Sequence, residues 1–191
     1  MLKSVCVFCG SREGDLPQYA EAATALGKEM GQRGLRLVYG GAKVGLMGRV
    51  ADAVLANGGT ALGIIPDFLV RKEVAHTQLT EIRVVSSMHE RKSQMAAAAD
   101  AFIIMPGGIG TLEEFFEILT WRYLQLHHKP IGLLNIENYY EPVRNLLLHT
   151  HHQGFMPLAT LDLLNFEERP TTLLALLEKK AQHVDFEAGK I

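Results

Sequence analysis

The sequence predicts a doubly wound α/β domain with a mostly parallel sheet and helices on both faces. Apolar runs that suit β-strands alternate with segments of helical periodicity along the chain. The strand segments are continuously apolar, which is typical of parallel strands covered on both faces. The 191 residues, 48% of them hydrophobic, are enough for one such domain and too few to expect two. We therefore expect a single Rossmann-like domain over residues 1–191.

The strands and helices can be placed in chain order. Strands are predicted at 4–9, 35–39, 60–65, 81–85, 101–105, 130–134 and 161–166. Helices are predicted at about 16–30, 46–56, 86–99, 112–126, 139–152 and 171–182. Residues 67–80 are the least periodic part of the first half and are predicted to form a long loop with a short helix.

Composition and charge exclude several classes of protein. A net charge of −2 without a basic run argues against a nucleic-acid polymer as partner. No apolar stretch approaches the roughly 18 residues of a membrane span, and the N-terminus lacks the features of a signal peptide, so we expect a cytoplasmic protein. Cys6 and Cys9 form C-x-x-C inside a strand, which favours a buried, inert pair over a redox or metal site. The histidines near helix ends are expected to favour the local dipole or to face water, so no metal site is predicted.

A glycine-rich turn, MPGGIGTLEE at residues 105–114, joins a buried strand to a helix. Glycines allow close approach to the backbone, and the N–H groups and dipole of a helix start attract an anion, so phosphate is the predicted ligand. Thr111 and Glu114 also have the spacing of a capping box, in which they would serve the helix start alone. From the residues, Glu114 can thus be either cap or catalyst.

Several predicted site segments follow strands and should meet at the carboxyl edge of the sheet, where ligands bind in such folds. They are Gly10–Ser11, Gly40–Gly41, residues 88–92 and residues 106–114. Arg91 lies just inside a helix at this edge, where it can face a second anion or a leaving group. The alternative for Arg91 is a solvent-exposed helix arginine.

The familiar nucleotide and hydrolase motifs are absent. The chain has no Gly-x-x-x-x-Gly-Lys-Ser/Thr, no Gly-x-Gly-x-x-Gly after its first strand and no Gly-x-Ser-x-Gly. What remains is a phosphate-binding turn with a carboxylate and arginines beside it. A carboxylate near a bound sugar phosphate suits cleavage at the anomeric carbon, where it stabilises an oxocarbenium ion and orients water. Cleavage of an N-glycosidic bond also requires that the departing base be protonated or accept a hydrogen bond. The residues permit this chemistry without requiring it.

Two segments, MHERK at 88–92 and PGGIGTLEE at 106–114, resemble the paired signatures of the LONELY GUY (LOG) family of cytokinin riboside 5′-monophosphate phosphoribohydrolases. Members have often been labelled lysine decarboxylases. The resemblance extends over nearly the whole chain, through VFCGS at 7–11, YGG at 39–41, GLMG at 45–48 and KPIGLLN at 129–135. The last thirty or so residues carry no family signal.

The resemblance implies hydrolysis of a nucleoside 5′-monophosphate to a free base and ribose 5-phosphate, without a metal or organic cofactor. Glu114 would act at the anomeric carbon or on its water, and Arg91 would complete the catalytic pair. It favours a catalytic Glu114 over a cap. It also implies a homodimer with the site near the interface. The predicted substrate-binding residues are Ser11, Gly40, Gly41, Glu73, Arg91, Lys92, Gly107, Gly108, Ile109, Gly110, Thr111 and Glu114, with Gly108, Gly110 and Thr111 holding the phosphate.

Two other interpretations differ in class. A non-catalytic nucleotide or cofactor carrier needs the same phosphate loop but has no use for the Arg91 and Glu114 pair. A pyridoxal-dependent decarboxylase requires a Schiff-base lysine, for which Lys43 and Lys92 are the candidates at the edge, but 191 residues are few for that scaffold. The base, whether prenylated adenine or adenine, is not encoded in any motif.

Overall fold

The computed structural model describes residues 2–70 and 74–188, with residues 183–188 as backbone only. In the described part of the chain, seven strands form one sheet in the order β4-β3-β2-β1-β5-β6-β7, and every pairing is parallel. The strands are β1 Ser4–Phe8, β2 Arg36–Tyr39, β3 Thr60–Pro66, β4 Glu81–Val85, β5 Ala101–Ile104, β6 Ile131–Leu134 and β7 Leu164–Glu167. The predicted fold class is confirmed.

The helices connect the strands in the predicted places. They are α1 Pro17–Gln32, α2 Gly45–Ala56, α3 Asp67–Val70, α4 Met88–Ala98, α5 Ile109–Tyr123, α6 Glu141–His152 and α7 Pro170–Ala188. Two 3₁₀ helices, Ile136–Asn138 and Leu158–Leu163, were not predicted. The second occupies the start of the predicted strand 161–166, so that strand begins only at Leu164. No helix in the described part of the chain is long and apolar enough to cross a bilayer.

Each face of the sheet has its own hydrophobic core. The side chains of β1 alternate between them, so that Val5, Val7 and the following Cys9 pack on one face, while Cys6 and Phe8 pack on the other. Helices α1, α2 and α7 cover the first face, and α4, α5 and α6 cover the second. A strand that contributes to two cores needs apolar side chains at successive positions, which is why residues 5–8 of β1 form a continuous apolar run.

The order of the strands reverses direction between β1 and β5. The chain leaves β1 through α1 on one face and leaves β5 through α5 on the opposite face. The two connections diverge, and the crevice between them lies at the carboxyl ends of these central strands. Doubly wound sheets bind their ligands at such a switch point.

Candidate active site

An open cavity of about 550 Å³ occupies this crevice, within the usual size range of small-molecule sites. Its walls are the loop after β1, residues 9–14, and the turn after β5 with the start of α5, residues 106–111. Six further side chains complete the lining: Tyr19, Leu46, Met47, Arg91, Glu114 and Tyr139. The structure thus brings together Ser11, Arg91, Glu114 and the glycine turn, which the sequence analysis predicted to share a site.

The glycine turn ends in the start of α5. Gly108 is the N-cap, and the first intrahelical bond runs from the Leu112 N–H to the Gly108 carbonyl at 3.1 Å. The N–H groups of the first helical turn have no acceptor within a helix. A Cβ placed on Gly108 or Gly110 would meet nothing within 4 Å, so the backbone there is open to the cavity. This is the geometry that binds an anion at a helix start.

The capping-box alternative for Thr111 and Glu114 is wrong. Because α5 begins at Ile109, three residues before the predicted start, Thr111 is its third residue and cannot be the cap. A comparable spacing does act as a cap on α4, where the Ser87 hydroxyl accepts a hydrogen bond from the Glu90 N–H at 3.1 Å. The Ser87-x-x-Glu90 spacing is the capping signal that the sequence carries for α4.

Carbonyl groups of the turn are tied to the body of the protein. The Gly10 N–H donates to the Pro106 carbonyl at 3.0 Å, and the Tyr139 hydroxyl donates to the Gly107 carbonyl at 2.6 Å. The buried Tyr140 hydroxyl donates to the Met105 carbonyl at 2.6 Å. Three hydrogen bonds on successive carbonyls fix the turn before any ligand arrives.

Gly107 has no room for a side chain, since an added Cβ would lie 2.2 Å from the Thr111 Oγ1 atom and 2.8 Å from the Gly10 nitrogen. We expect Gly107→Ala to lower the free energy of unfolding by about 1–3 kcal/mol, because the turn must shift to relieve the overlap. Urea denaturation measures the loss. The matched control is Gly110→Ala, which meets open space within a helix and should be neutral or slightly stabilising. Equal stabilities for the two variants would contradict this packing.

Glu114 lies in the second turn of α5, and only 11% of its side chain is exposed. Burial raises the pKa of its carboxyl to about 7, although the Arg91 guanidinium opposes the shift. The Arg91 Nη1 atom lies 3.8 Å from the Glu114 Oε1 atom. A buried carboxyl with a pKa near neutrality, paired with one cation in a cleft, is a strong candidate for a functional group.

Arg91 is buried, which rules out the solvent-exposed alternative. Its Nε donates to the Ile64 carbonyl at 3.1 Å, and its Nη1 lies 3.8 Å from the Met88 sulfur. Gly40 makes this possible, because a Cβ at that position would lie 1.9 Å from the Arg91 Nη2 atom. The end of β2 therefore leaves the space into which the guanidinium reaches from α4.

Three predicted substrate-binding residues, Gly40, Gly41 and Lys92, are absent from the cavity lining. Gly40 lies against the Arg91 guanidinium, and neither Gly40 nor Gly41 lines the cavity. Gly41 has a left-handed φ of +77°, and its carbonyl accepts a hydrogen bond from the His76 N–H. Lys92 is also outside the lining, since its ammonium contacts Glu113 and Glu117 on α5. Glu73 lies outside the described residues. Ile109, the first residue of α5, lines the cavity and is 84% exposed.

The structure adds lining residues that lie outside every quoted motif: Arg12, Glu13, Tyr19 and Tyr139. Met47 lies in the GLMG segment but had no predicted role. Tyr19 lies in the first turn of α1 and Tyr139 precedes α6, and their rings meet edge to face with centroids 5.8 Å apart. In the sequence, Tyr19 fits the apolar face of a predicted helix, and Tyr139 is the first residue of another. No feature of the sequence therefore distinguishes these tyrosines from core residues.

The cysteines and the candidate metal ligands have no part in this cavity beyond Cys9 at its floor. Cys6 and Cys9 are free and buried on opposite faces of β1, and burial raises the pKa of both thiols. The predicted burial is confirmed. His127 is half-buried, and burial lowers its pKa to about 4, so its ring is neutral. Among the described residues, no group of three or more histidine, cysteine or acidic side chains is arranged to hold a metal ion.

Comparison with known proteins identifies the family. The family model described as "Possible lysine decarboxylase" matches residues 47–177. A cytokinin riboside 5′-monophosphate phosphoribohydrolase of Rhodococcoides fascians is 51% identical over 83% of this chain and 80% of its own length. The enzyme LOG7 of Arabidopsis thaliana is 48% identical over 81% of this chain and 71% of its own. The probable enzyme LOGL5 of Oryza sativa subsp. japonica is 47% identical over 81% of this chain, which spans 63% of that longer relative.

Solved structures support the fold at lower similarity. The molybdenum cofactor binding protein of Rippkaea orientalis superposes with a TM-score of 0.70 at 20% identity, covering 94% of this chain and 97% of its own. The molybdenum cofactor carrier protein of Chlamydomonas reinhardtii gives 0.69 at 18% identity, covering 94% and 98%. At such identities the likeness shows the architecture alone. Sequence identity near one half, over most of the chain, together with the paired signatures, shows that the chain belongs to the LOG family of cytokinin riboside 5′-monophosphate phosphoribohydrolases.

Proposed function

We propose that the protein hydrolyses the N-glycosidic bond of a nucleoside 5′-monophosphate, releasing the free base and ribose 5-phosphate. The observation that carries the proposal is the buried Glu114 carboxyl, which faces the same cavity as the glycine turn and lies 3.8 Å from Arg91. A carrier would need the turn but not this pair. The names of the relatives specify the same class of reaction.

The glycine turn holds the 5′-phosphate in this proposal. The free N–H groups of the first turn of α5 donate to phosphate oxygens, and the helix dipole adds a partial positive charge. Because hydrogen bonds to its carbonyl groups already fix the turn, ligand binding costs little conformational entropy there. The phosphate then fixes where the ribose lies relative to Glu114.

Glu114 acts at the anomeric carbon in its ionised form. As the bond from C1′ to the base nitrogen breaks, positive charge develops on the sugar and the carboxylate stabilises it. The carboxylate accepts a proton from the attacking water, whose oxygen bonds to C1′, and the departing base takes up that proton. A pKa of about 7 suits both steps, since the group can accept and return a proton near neutral pH. Arg91 positions the carboxylate and favours its ionised form.

The direct test is incubation with AMP and, separately, with isopentenyladenosine 5′-monophosphate. We expect release of adenine or isopentenyladenine together with an equal amount of ribose 5-phosphate. Chromatography of the reaction mixture measures both products. The ratio of the two kcat/KM values identifies the preferred base. Recovery of both nucleotides intact at high enzyme concentration would reject hydrolysis and favour a carrier.

Tyr139→Phe should raise KM for AMP by about 2- to 10-fold and change kcat little, because it removes the hydrogen bond that ties the Gly107 carbonyl. Steady-state kinetics measure both constants. Tyr123→Phe, which removes a half-exposed hydroxyl at the far end of α5, is the control and should behave as the unmodified protein. A fall in kcat with KM unchanged would show that Tyr139 acts on the reaction rather than on the turn.

The homodimer and the cytoplasmic location are further parts of the proposal. Support for a dimer comes from the family and from the exposed apolar side chain of Ile109 at the cavity, which a second subunit would cover. Light scattering after size-exclusion chromatography should give twice the 21.1 kDa of one chain. A mass of one chain at micromolar concentration would remove the dimer from the proposal.

A further inference from the structure

Arg12 is a cation of the cavity to which neither the motifs nor the proposed reaction assigns a role. Two cations line the described part of the cavity, Arg12 and Arg91. Arg91 is buried and engaged with Glu114 and with the Ile64 carbonyl. Arg12 is exposed and has no carboxylate partner among the described residues. Its guanidinium is therefore available to a ligand.

The backbone at Arg12 is held beside the glycine turn. Gly10 contacts both segments, since a Cβ there would lie 3.0 Å from the Arg12 carbonyl oxygen and 3.3 Å from the Gly107 Cα atom. Gly45 packs beneath the same loop, where an added Cβ would lie 2.4 Å from the Arg12 nitrogen. On the other side, Glu13 forms two hydrogen bonds with Arg49, at 2.8 and 3.3 Å. The loop is fixed on both flanks of Arg12, while the side chain itself is free.

A phosphate monoester carries more negative charge than the positive charge of the glycine turn can balance. At pH 8 the group carries close to two negative charges, whereas a helix start provides roughly half a positive charge. A guanidinium fork matches two phosphate oxygens and gives charge-assisted hydrogen bonds. On the basis of the proposed function, we propose that Arg12 binds the 5′-phosphate together with the start of α5, and that it selects nucleoside monophosphates over nucleosides.

The test measures binding of AMP and of adenosine by calorimetry at pH 8, in a Glu114→Gln background so that AMP persists. Adding Arg12→Gln should weaken AMP binding by about 10- to 100-fold and leave adenosine binding within about twofold. The charge-matched control is Lys28→Gln, which removes an equal charge from the exposed side of α1 outside the cavity lining and should leave both affinities unchanged. Thermal unfolding of each variant checks that the fold is retained.

Equal AMP affinity with and without Arg12 would overturn this inference and leave the proposed function intact. An equal loss for AMP and adenosine would overturn it as well, because Arg12 would then contact the nucleoside. An equal loss of AMP binding in Lys28→Gln would show an effect of overall charge and also reject the contact. Failure of AMP to bind while Arg12 is present, with no adenine released by the unmodified protein, would overturn the proposed function itself.

Discussion

Glu114→Gln is expected to lower kcat/KM for AMP by about 10³-fold or more, because the amide can neither carry negative charge beneath C1′ nor accept a proton from water. Binding of AMP should persist, since the glycine turn and its ties are unchanged. Initial rates of adenine release and calorimetric titration measure the two properties. The neighbouring Glu113→Gln is a matched control, because Glu113 is half-exposed and contacts Lys92 outside the cavity.

The same variant should be more stable than the unmodified protein above neutral pH. Burial raises the pKa of Glu114 from an ordinary value of 4.5 to about 7, so the folded state holds this proton more tightly than the unfolded chain. The stabilisation is fully present below pH 4.5 and is lost as the pH rises through 7. At about 1.4 kcal/mol per pKa unit, the free energy of unfolding of the unmodified protein falls by about 3 kcal/mol over this range. Glutamine does not ionise, so the variant keeps its stability.

Urea denaturation at pH 5 and pH 8 tests this pH dependence. The stability of Glu114→Gln relative to the unmodified protein should increase between the two values, while Glu113→Gln should show no comparable change. A variant that keeps full activity would reject Glu114 as the catalytic carboxyl. A stability difference that is the same at both pH values would show instead that the carboxyl is ionised at no cost in the folded state.

Arg91→Ala is expected to lower kcat/KM by about 10³-fold. The buried Glu114 would lose the cation that opposes its raised pKa, so that the pKa would rise further and less of the carboxyl would be ionised at neutral pH. Because removal of a buried arginine can also disturb packing, Arg91→Met, which fills much of the same space, should be measured beside it. Both should show the loss.

The control for Arg91 is Arg83→Ala, which removes an exposed arginine paired with Glu81 on β4 and should leave the kinetics unchanged. Circular dichroism and thermal unfolding establish that each variant is folded. A folded Arg91→Met variant with less than a tenfold loss would limit Arg91 to filling the space beside Gly40. Such a result would leave the assignment of Glu114 standing.

Local sequence patterns were enough to predict most of the fold. The continuous apolar runs at β1 and β5 indicated parallel strands buried on both faces, and the alternation with helices indicated a doubly wound sheet. The errors lie at boundaries, where competing local structures have similar energies. Residues 161–163 have the composition of a strand but form a 3₁₀ turn that leads into β7, and α5 begins three residues before the apolar periodicity became visible.

By itself, the sequence determined the fold class, the glycine turn between a strand and a helix, and membership of a family through two signatures, because these depend on backbone periodicity and on contiguous residues. The direction of each side chain was decided only by tertiary packing. Gly40 leaves space for the guanidinium that reaches from α4, which no spacing along the chain encodes. Lys92 turns to α5 rather than to the cavity, and Arg12 faces the cavity without having been predicted to do so. The burial that raises the pKa of Glu114 to about 7 arises only when α5 packs against the sheet.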